Sequence, residues 1–132
     1  MCIRDSQETL DGIAELRELT GDAIRPGGIF INMARPAMLS GADLAAAASG
    51  SLDVTELAVA LKAAGIGDNH GLAADLMTEL KEHAQQVALQ DRERAELLTS
   101  GRPHYELAMI PEGIDLASLY QLAAALREQG AA

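Results

Sequence analysis

The polar residue in the most suggestive position is Asn32, which lies near the end of the short apolar run at residues 29–33. A carboxamide places a hydrogen-bond donor and an acceptor side by side. If the run is a strand of a parallel sheet, Asn32 lies at the carboxyl end of that strand, where open α/β sheets bind ligands. The alternative is that the side chain caps nearby backbone groups, and spacing alone favours this alternative.

Other residue types that carry chemistry are sparse. The three histidines do not have the spacing of metal ligands. Glu79 and His83 lie four positions apart and could hold a metal in principle, although a pair on a helix surface is the simpler interpretation. Cys2 is the single cysteine. Neither Lys62 nor Lys81 follows a glycine, so the sequence has no Gly-Lys-Ser/Thr loop to hold β- and γ-phosphates.

The hydrophobic pattern predicts the elements that would position these residues. Their order is helix, strand, three helices, strand and helix, with Ser40, Asp53 and Asp115 as helix caps. The predicted bounds are 8–20, 29–33, 40–50, 53–65, 70–99, 105–110 and 115–130. The polar residues at 91–94 are interpreted as a solvated helix face.

Both predicted strands consist mostly of apolar residues, which is typical of strands buried on both faces of a parallel sheet. Two strands do not form a stable sheet alone, so further strands are expected upstream. Residues 1–6 support the same expectation. Their Cys-Ile-Arg-Asp-Ser segment matches one reading frame of a common transposase sequencing adapter, so we interpret 1–6 as a sequencing-adapter scar and exclude it from the fold. The alternative is a genuine start.

Composition limits the classes of function. The net charge of −10 over 132 residues argues against binding to nucleic acids or to anionic membrane surfaces, and is interpreted as aiding solubility. No apolar run reaches the roughly 20 residues that a membrane helix needs. No signal peptide is visible, and we expect a cytoplasmic location. Aromatic residues make up only 2% of a chain rich in alanine, which favours close-packed helices.

Several segments, in the right order along residues 8–130, resemble the arsenite-pump (ArsA) and tail-anchored-protein-targeting (Get) ATPases, the anion-transporting ATPase family. Glu8-Thr9-Leu10 resembles the segment that opens a helix after a core strand in these proteins. The run 28–32 resembles their strand that ends in asparagine. The helices of 40–100 resemble the family's inserted subdomain, and 106–116 resembles the last strand and the loop on the adenine side. Residues 119–122 continue into the terminal helix much as in actinobacterial members.

The resemblance implies the carboxyl-terminal part of an α/β P-loop NTPase domain, with a parallel sheet flanked by helices and an inserted all-helical subdomain. Residues 7–38 and 101–132 would belong to the nucleotide-binding domain, and 39–100 to the helical insertion. Asn32 would contact adenine, since its amide matches the N6 amine and a ring nitrogen. Ile110, Pro111 and Glu112 would form the loop beside the base, where the alternative is a simple strand-to-helix turn.

The resemblance also implies a parent enzyme that hydrolyses ATP with Mg²⁺ and acts as a homo- or heterodimer, with a protein client on the helical subdomain. Met38 and Met77 could face such a client, although burial in the core is the preferred interpretation. The phosphate loop and catalytic aspartates would lie upstream, so we expect no catalytic residue here and an inactive fragment. The family's metal-binding cysteines are missing, so arsenite is not supported as a ligand. The alternative function is a non-enzymatic helical interaction module.

Overall fold

The structure is a computed structural model that describes residues 3–66 and 70–131, with side chains described for 6–66 and 71–131. It is an α/β chain, and the predicted order of elements is confirmed. The elements are α1 (Ile3–Thr20), β1 (Ile29–Ala34), α2 (Gly41–Ser49), α3 (Val54–Ala63), α4 (His70–Leu98), β2 (His104–Ala108) and α5 (Leu116–Glu128). Helix α1 begins before the predicted bound and includes residues 3–6.

The chain divides into two compact units. One unit comprises Met1–Pro36 and Leu89–Ala132, and the other comprises Ala37–Ala88. The first holds both strands, α1, α5 and the last turns of α4. The second holds α2, α3 and the earlier part of α4. The sequence-based boundaries, at residues 38 and 100, differ from these because the end of α4 packs within the unit that contains the strands.

The two strands pair in parallel, as predicted. Ile29 is opposite His104 and Ile31 is opposite Glu106, and the register shifts between Ile31 and Ala34. The pairing begins with a hydrogen bond of 2.8 Å from the Ile29 N–H to the carbonyl of Pro103. Ile29 and Ile31 form the core with Leu97 of α4, and partly buried Leu10 and Ile13 of α1 pack against it.

The prediction that both strands are buried on both faces is wrong for the chain as it stands. Burial alternates along β1, and the Phe30 side chain remains 57% exposed. No residue of β2 is fully buried. Tyr105 of β2 lies beside Phe30, with ring centroids 5.2 Å apart. The physical reason is that helices α1 and α4 cover one face around Ile29 and Ile31, while Phe30 points to the other.

Local capping chemistry confirms the predicted helix starts. The Ser40 hydroxyl accepts a hydrogen bond from the Asp43 N–H, and the Asp53 carboxylate accepts one from the Thr55 N–H. Asp115 and Ser118 form a reciprocal capping box at the start of α5. These bonds satisfy amide groups that have no partner within the first turn of a helix. Among the residues that the structure describes, none of the helices has the length and apolar character required to cross a bilayer.

Candidate functional site

The candidate site lies at the carboxyl edge of the two parallel strands. Beyond the last paired residues, the Met109 N–H donates a hydrogen bond of 2.8 Å to the carbonyl of Ala34. This bond keeps the two chain segments together where they leave the sheet. Asn32 in β1 and the segment after β2 are therefore carried to the same edge, which is where parallel α/β sheets bind ligands.

Asn32 is exposed and lies at an irregular point of β1. Its Oδ1 atom accepts a hydrogen bond of 2.9 Å from the Met33 N–H, so the local backbone contact considered in the sequence analysis is present. An amide oxygen has two lone pairs, and the amide nitrogen carries two donor hydrogens. The local bond therefore leaves both a donor and an acceptor position of Asn32 for a ligand.

The residue after Asn32 has an unusual backbone conformation. Met33 has a φ of +57°, in the left-handed region that side chains with a Cβ atom rarely adopt. It falls within the register shift between Ile31 and Ala34. This is the geometry of a β-bulge, a feature that redirects side chains at sheet edges and next to active sites.

Gln90 of α4 forms two hydrogen bonds with the backbone of Arg35, the residue after the bulge, and we call this pair of bonds the Gln90 clamp. The Gln90 Oε1 accepts a hydrogen bond of 2.8 Å from the Arg35 N–H, and the Gln90 Nε2 donates one of 3.2 Å to the Arg35 carbonyl. Only 8% of Gln90 is exposed. A single buried side chain thus satisfies both backbone groups of the residue that leaves the strand.

The predicted site residues line two separate cavities. Asn32 lines a cavity of about 380 Å³ together with Phe30, Met33, Met109 and other residues of the same unit. Ile110 and Glu112 line another cavity of about 380 Å³ beside the start of α5. Pro111 lies in the turn between them, which is closed by a 3.3 Å hydrogen bond from the Gly113 N–H to the Ile110 carbonyl. The assignment of these four residues to a base remains a prediction.

An ion pair fixes β2 against α4. The Arg94 guanidinium donates to both carboxylate oxygens of Glu106, at 2.7 and 2.6 Å, and to Asp91 at 2.6 Å. The hydrogen bond to Glu106 is the main cause that raises the pKa of Arg94 above its ordinary value. On the outer edge of β2, the Gln129 side chain bonds both the N–H and the carbonyl of Glu106, at 2.8 and 2.9 Å.

The interpretation of residues 91–94 as a solvated face is confirmed for Asp91 and Arg92, whose side chains are 59% and 68% exposed, and is wrong for Glu93 and Arg94. Glu93 is almost fully buried and accepts a hydrogen bond from the Ser6 hydroxyl, and Arg94 is only partly exposed. Sequence reasoning missed the roles of Gln90 and Arg94, because their partners lie 55 and 12 positions away and leave no periodic signal. Ser6 falls within residues 1–6, the segment whose sequence matches a sequencing adapter.

The helical unit has its own cavity, of about 310 Å³. Its apolar lining includes Leu57, Met77 and Leu80, and its acidic lining consists of Asp43, Asp53 and Glu56. Met77 is partly buried, whereas Met38 is 79% exposed and does not belong to the core. Within the described residues, no group of three metal-ligating side chains comes together.

Comparison with known proteins identifies relatives of greater length. No protein-family model matches the chain. The chain is 34% identical over 124 residues to the ATPase BagA of Mycobacterium tuberculosis (strain ATCC 25618 / H37Rv). The alignment covers 94% of this chain and 36% of BagA. A Mycobacterium bovis protein with a provisional ATPase name matches with the same identity and coverage. The chain therefore spans about a third of the length of these relatives and is similar to them along almost all of its own length.

Proposed function

We propose that this chain is the carboxyl-terminal part of an ATP-binding and ATP-hydrolysing enzyme of the arsenite-pump and tail-anchored-protein-targeting family. The observation that carries the proposal is the parallel pairing of β1 and β2, with Asn32 and the 110–112 segment at one edge of the sheet. The ATPase names of the mycobacterial relatives support the reaction class. In this proposal the two strands belong to a P-loop NTPase domain.

The residues of this chain suit the base of ATP and do not suit its phosphates. Asn32 retains a donor and an acceptor position beside the local bond to Met33, which matches the N6 amine and a ring nitrogen of adenine. Ile110, Pro111 and Glu112 would flank the base. The chain has no glycine-rich phosphate loop, so the residues that hold the β- and γ-phosphates and Mg²⁺ would come from elsewhere in the complete enzyme.

Membership of this ATPase family would also imply the location, the oligomeric state and a protein partner of the complete enzyme. The complete enzyme would be cytoplasmic, would act as a dimer and would use its helical subdomain to contact a protein client. The helical unit at Ala37–Ala88 would be the corresponding part of this chain.

The proposal is tested by recovering the coding sequence upstream of Gln7 and expressing the complete protein. An in-frame extension with a Gly-Lys-Ser/Thr loop, together with ATP hydrolysis by the purified protein, is the expected result. Loss of a paired hydrogen bond in Asn32→Ala should weaken ATP binding by roughly 1–3 kcal/mol, which corresponds to roughly 5- to 150-fold in Kd. Gln86→Ala, which removes an exposed amide from α4, is the matched control. Equal ATP affinity of the two variants would remove Asn32 from the site.

A second candidate is a helical interaction module that needs no nucleotide. The apolar cavity between residues of α2, α3 and α4 favours it, since that cavity is built entirely within one compact unit. This candidate would take first place if the upstream sequence lacked a phosphate loop.

A further inference from the structure

The backbone turn at residues 32–35, which contains the β-bulge, is held in a conformation that methionine at position 33 does not favour. Met33 has a φ of +57°, although methionine carries a Cβ atom that makes the left-handed region unfavourable. Such conformations persist only where surrounding contacts determine them, and they concentrate at functional sites. The contacts that hold this turn are therefore candidates for residues that position Asn32.

Three contacts hold the turn. The Asn32 side chain accepts from the Met33 N–H at 2.9 Å, and the Ala34 carbonyl accepts from the Met109 N–H at 2.8 Å. The third contact is the pair of hydrogen bonds between the Gln90 carboxamide and both backbone groups of Arg35. Of the three, only the Gln90 contact comes from a side chain outside the turn.

The arrangement of Gln90 imitates a neighbouring strand. Pro36 disfavours a helical backbone at Arg35 and leaves it extended. The N–H and carbonyl of an extended residue point to the same side, where a strand partner would normally exchange two hydrogen bonds with it. Gln90 provides one acceptor and one donor at this position, and its burial removes competing water.

We infer that Gln90 is a positioning residue that holds Met33 in the left-handed conformation and thereby sets the direction of the Asn32 amide at the carboxyl edge of β1. The effect of Gln90 on adenine binding rests on the proposed function. Its effect on the backbone conformation of Met33 rests only on the hydrogen bonds described above.

The experiment uses NMR spectroscopy of the 132-residue chain and three variants. Gln90→Ala removes the clamp, and Gln86→Ala removes an exposed amide one turn earlier on the same helix. Gln90→Ala with Met33→Gly keeps the clamp absent but makes positive φ accessible at no steric cost. The measurements are the exchange rate of the Arg35 amide, the backbone φ of Met33 from scalar couplings, and the shift of the Asn32 side-chain amide on addition of adenosine or guanosine.

In Gln90→Ala, the Arg35 amide should exchange about tenfold faster, as expected for loss of a buried hydrogen bond. Met33 should leave the positive-φ region, and the adenosine-induced shift of Asn32 should disappear. In the double variant, the adenosine shift should return, whereas guanosine should have no effect in any protein. A general loss of packing would not be rescued by glycine at position 33.

Two results would overturn the inference. The first is an unchanged Met33 φ and Arg35 exchange rate in Gln90→Ala relative to Gln86→Ala. The second is an adenosine-induced shift of Asn32 that survives in Gln90→Ala. If the unmodified chain shows no shift with adenosine, while Met33 and Arg35 still respond to Gln90→Ala, the role of Asn32 in adenine binding is wrong and the control of the turn by Gln90 stands.

Discussion

The ion pair between Arg94 and Glu106 should be an appreciable contributor to the stability of the unit that contains the strands. Arg94 approaches the carboxylate with two nitrogen atoms, at 2.7 and 2.6 Å, which is the two-point geometry that makes such pairs strong. The side chains are 28% and 32% exposed, so solvent screens the pair only partly. Hydrogen bonds to charged groups contribute about 1.5–3 kcal/mol, and discounting for this exposure leaves a coupling energy of about 1–2 kcal/mol.

A double-mutant cycle measures this coupling. The free energy of unfolding in urea is measured for the unmodified chain, for Arg94→Ala, for Glu106→Ala and for the double variant. The coupling energy is the difference between the sum of the losses in the two single variants and the loss in the double variant. Tyrosine fluorescence is a suitable probe, because both tyrosines, Tyr105 and Tyr120, lie in the unit that contains the ion pair.

The chain provides an internal control for the cycle. Arg17 and Asp22 form an ion pair at 3.1 Å in the same unit, but their side chains are 72% and 60% exposed. A pair exposed to this extent should have a coupling energy of about 0.2–1 kcal/mol, towards the lower end. A coupling between Arg94 and Glu106 no larger than that between Arg17 and Asp22 would refute the argument from burial and two-point geometry.

Two further predictions concern packing and pH. A Cβ atom at Gly28 would lie 2.6 Å from Cε2 of Tyr105, so Gly28→Ala should lower the unfolding free energy by about 1–3 kcal/mol, measured by urea unfolding. Gly27→Ala, where nothing lies within 4 Å of the added atom, should differ less from the unmodified chain, and equal losses would contradict the steric argument. The hydrogen bonds from the Ser118 N–H and hydroxyl lower the pKa of Asp115 below its ordinary value of 3.8. The ionised carboxylate therefore stabilises the folded state fully above pH 3.8, and this stabilisation is lost as the pH falls through the lowered pKa. Helicity followed by circular dichroism below about pH 4 should therefore decline less in Asp115→Asn than in the unmodified chain, and identical acid profiles would contradict this role.

The sequence was sufficient to predict the features that depend on nearby residues. The caps Ser40, Asp53 and Asp115 each bond an amide two or three positions away, so their signals lie within a single turn of helix. The parallel pairing of the strands followed from two short apolar runs separated by helices. Contacts of this kind require no knowledge of the rest of the fold.

The candidate site could be predicted only in part. Asn32 was identified because it lies near the end of an apolar run. The left-handed backbone of Met33 could not be predicted, because methionine does not favour that conformation. The Gln90 clamp brings together positions 55 residues apart, and a glutamine among charged residues gives no indication of burial. The exposure of Phe30 could not be inferred either, because an apolar residue in a short strand is equally consistent with a covered or an uncovered face.

Gln129 has a consequence for how this chain can associate with itself. The register places the polar groups of Ile29 and Ile31 towards β2, so alternation directs those of Phe30 to the opposite side. The outer side of β2 is occupied at Glu106 by the Gln129 carboxamide. Filaments built by strand addition need two open edges on every subunit, whereas one open edge allows only a closed, two-fold pair. The Gln129 carboxamide therefore protects one residue of the outer edge of β2 against strand addition, and replacing Gln129 would leave the N–H and carbonyl of Glu106 without these partners and open to a strand of another molecule.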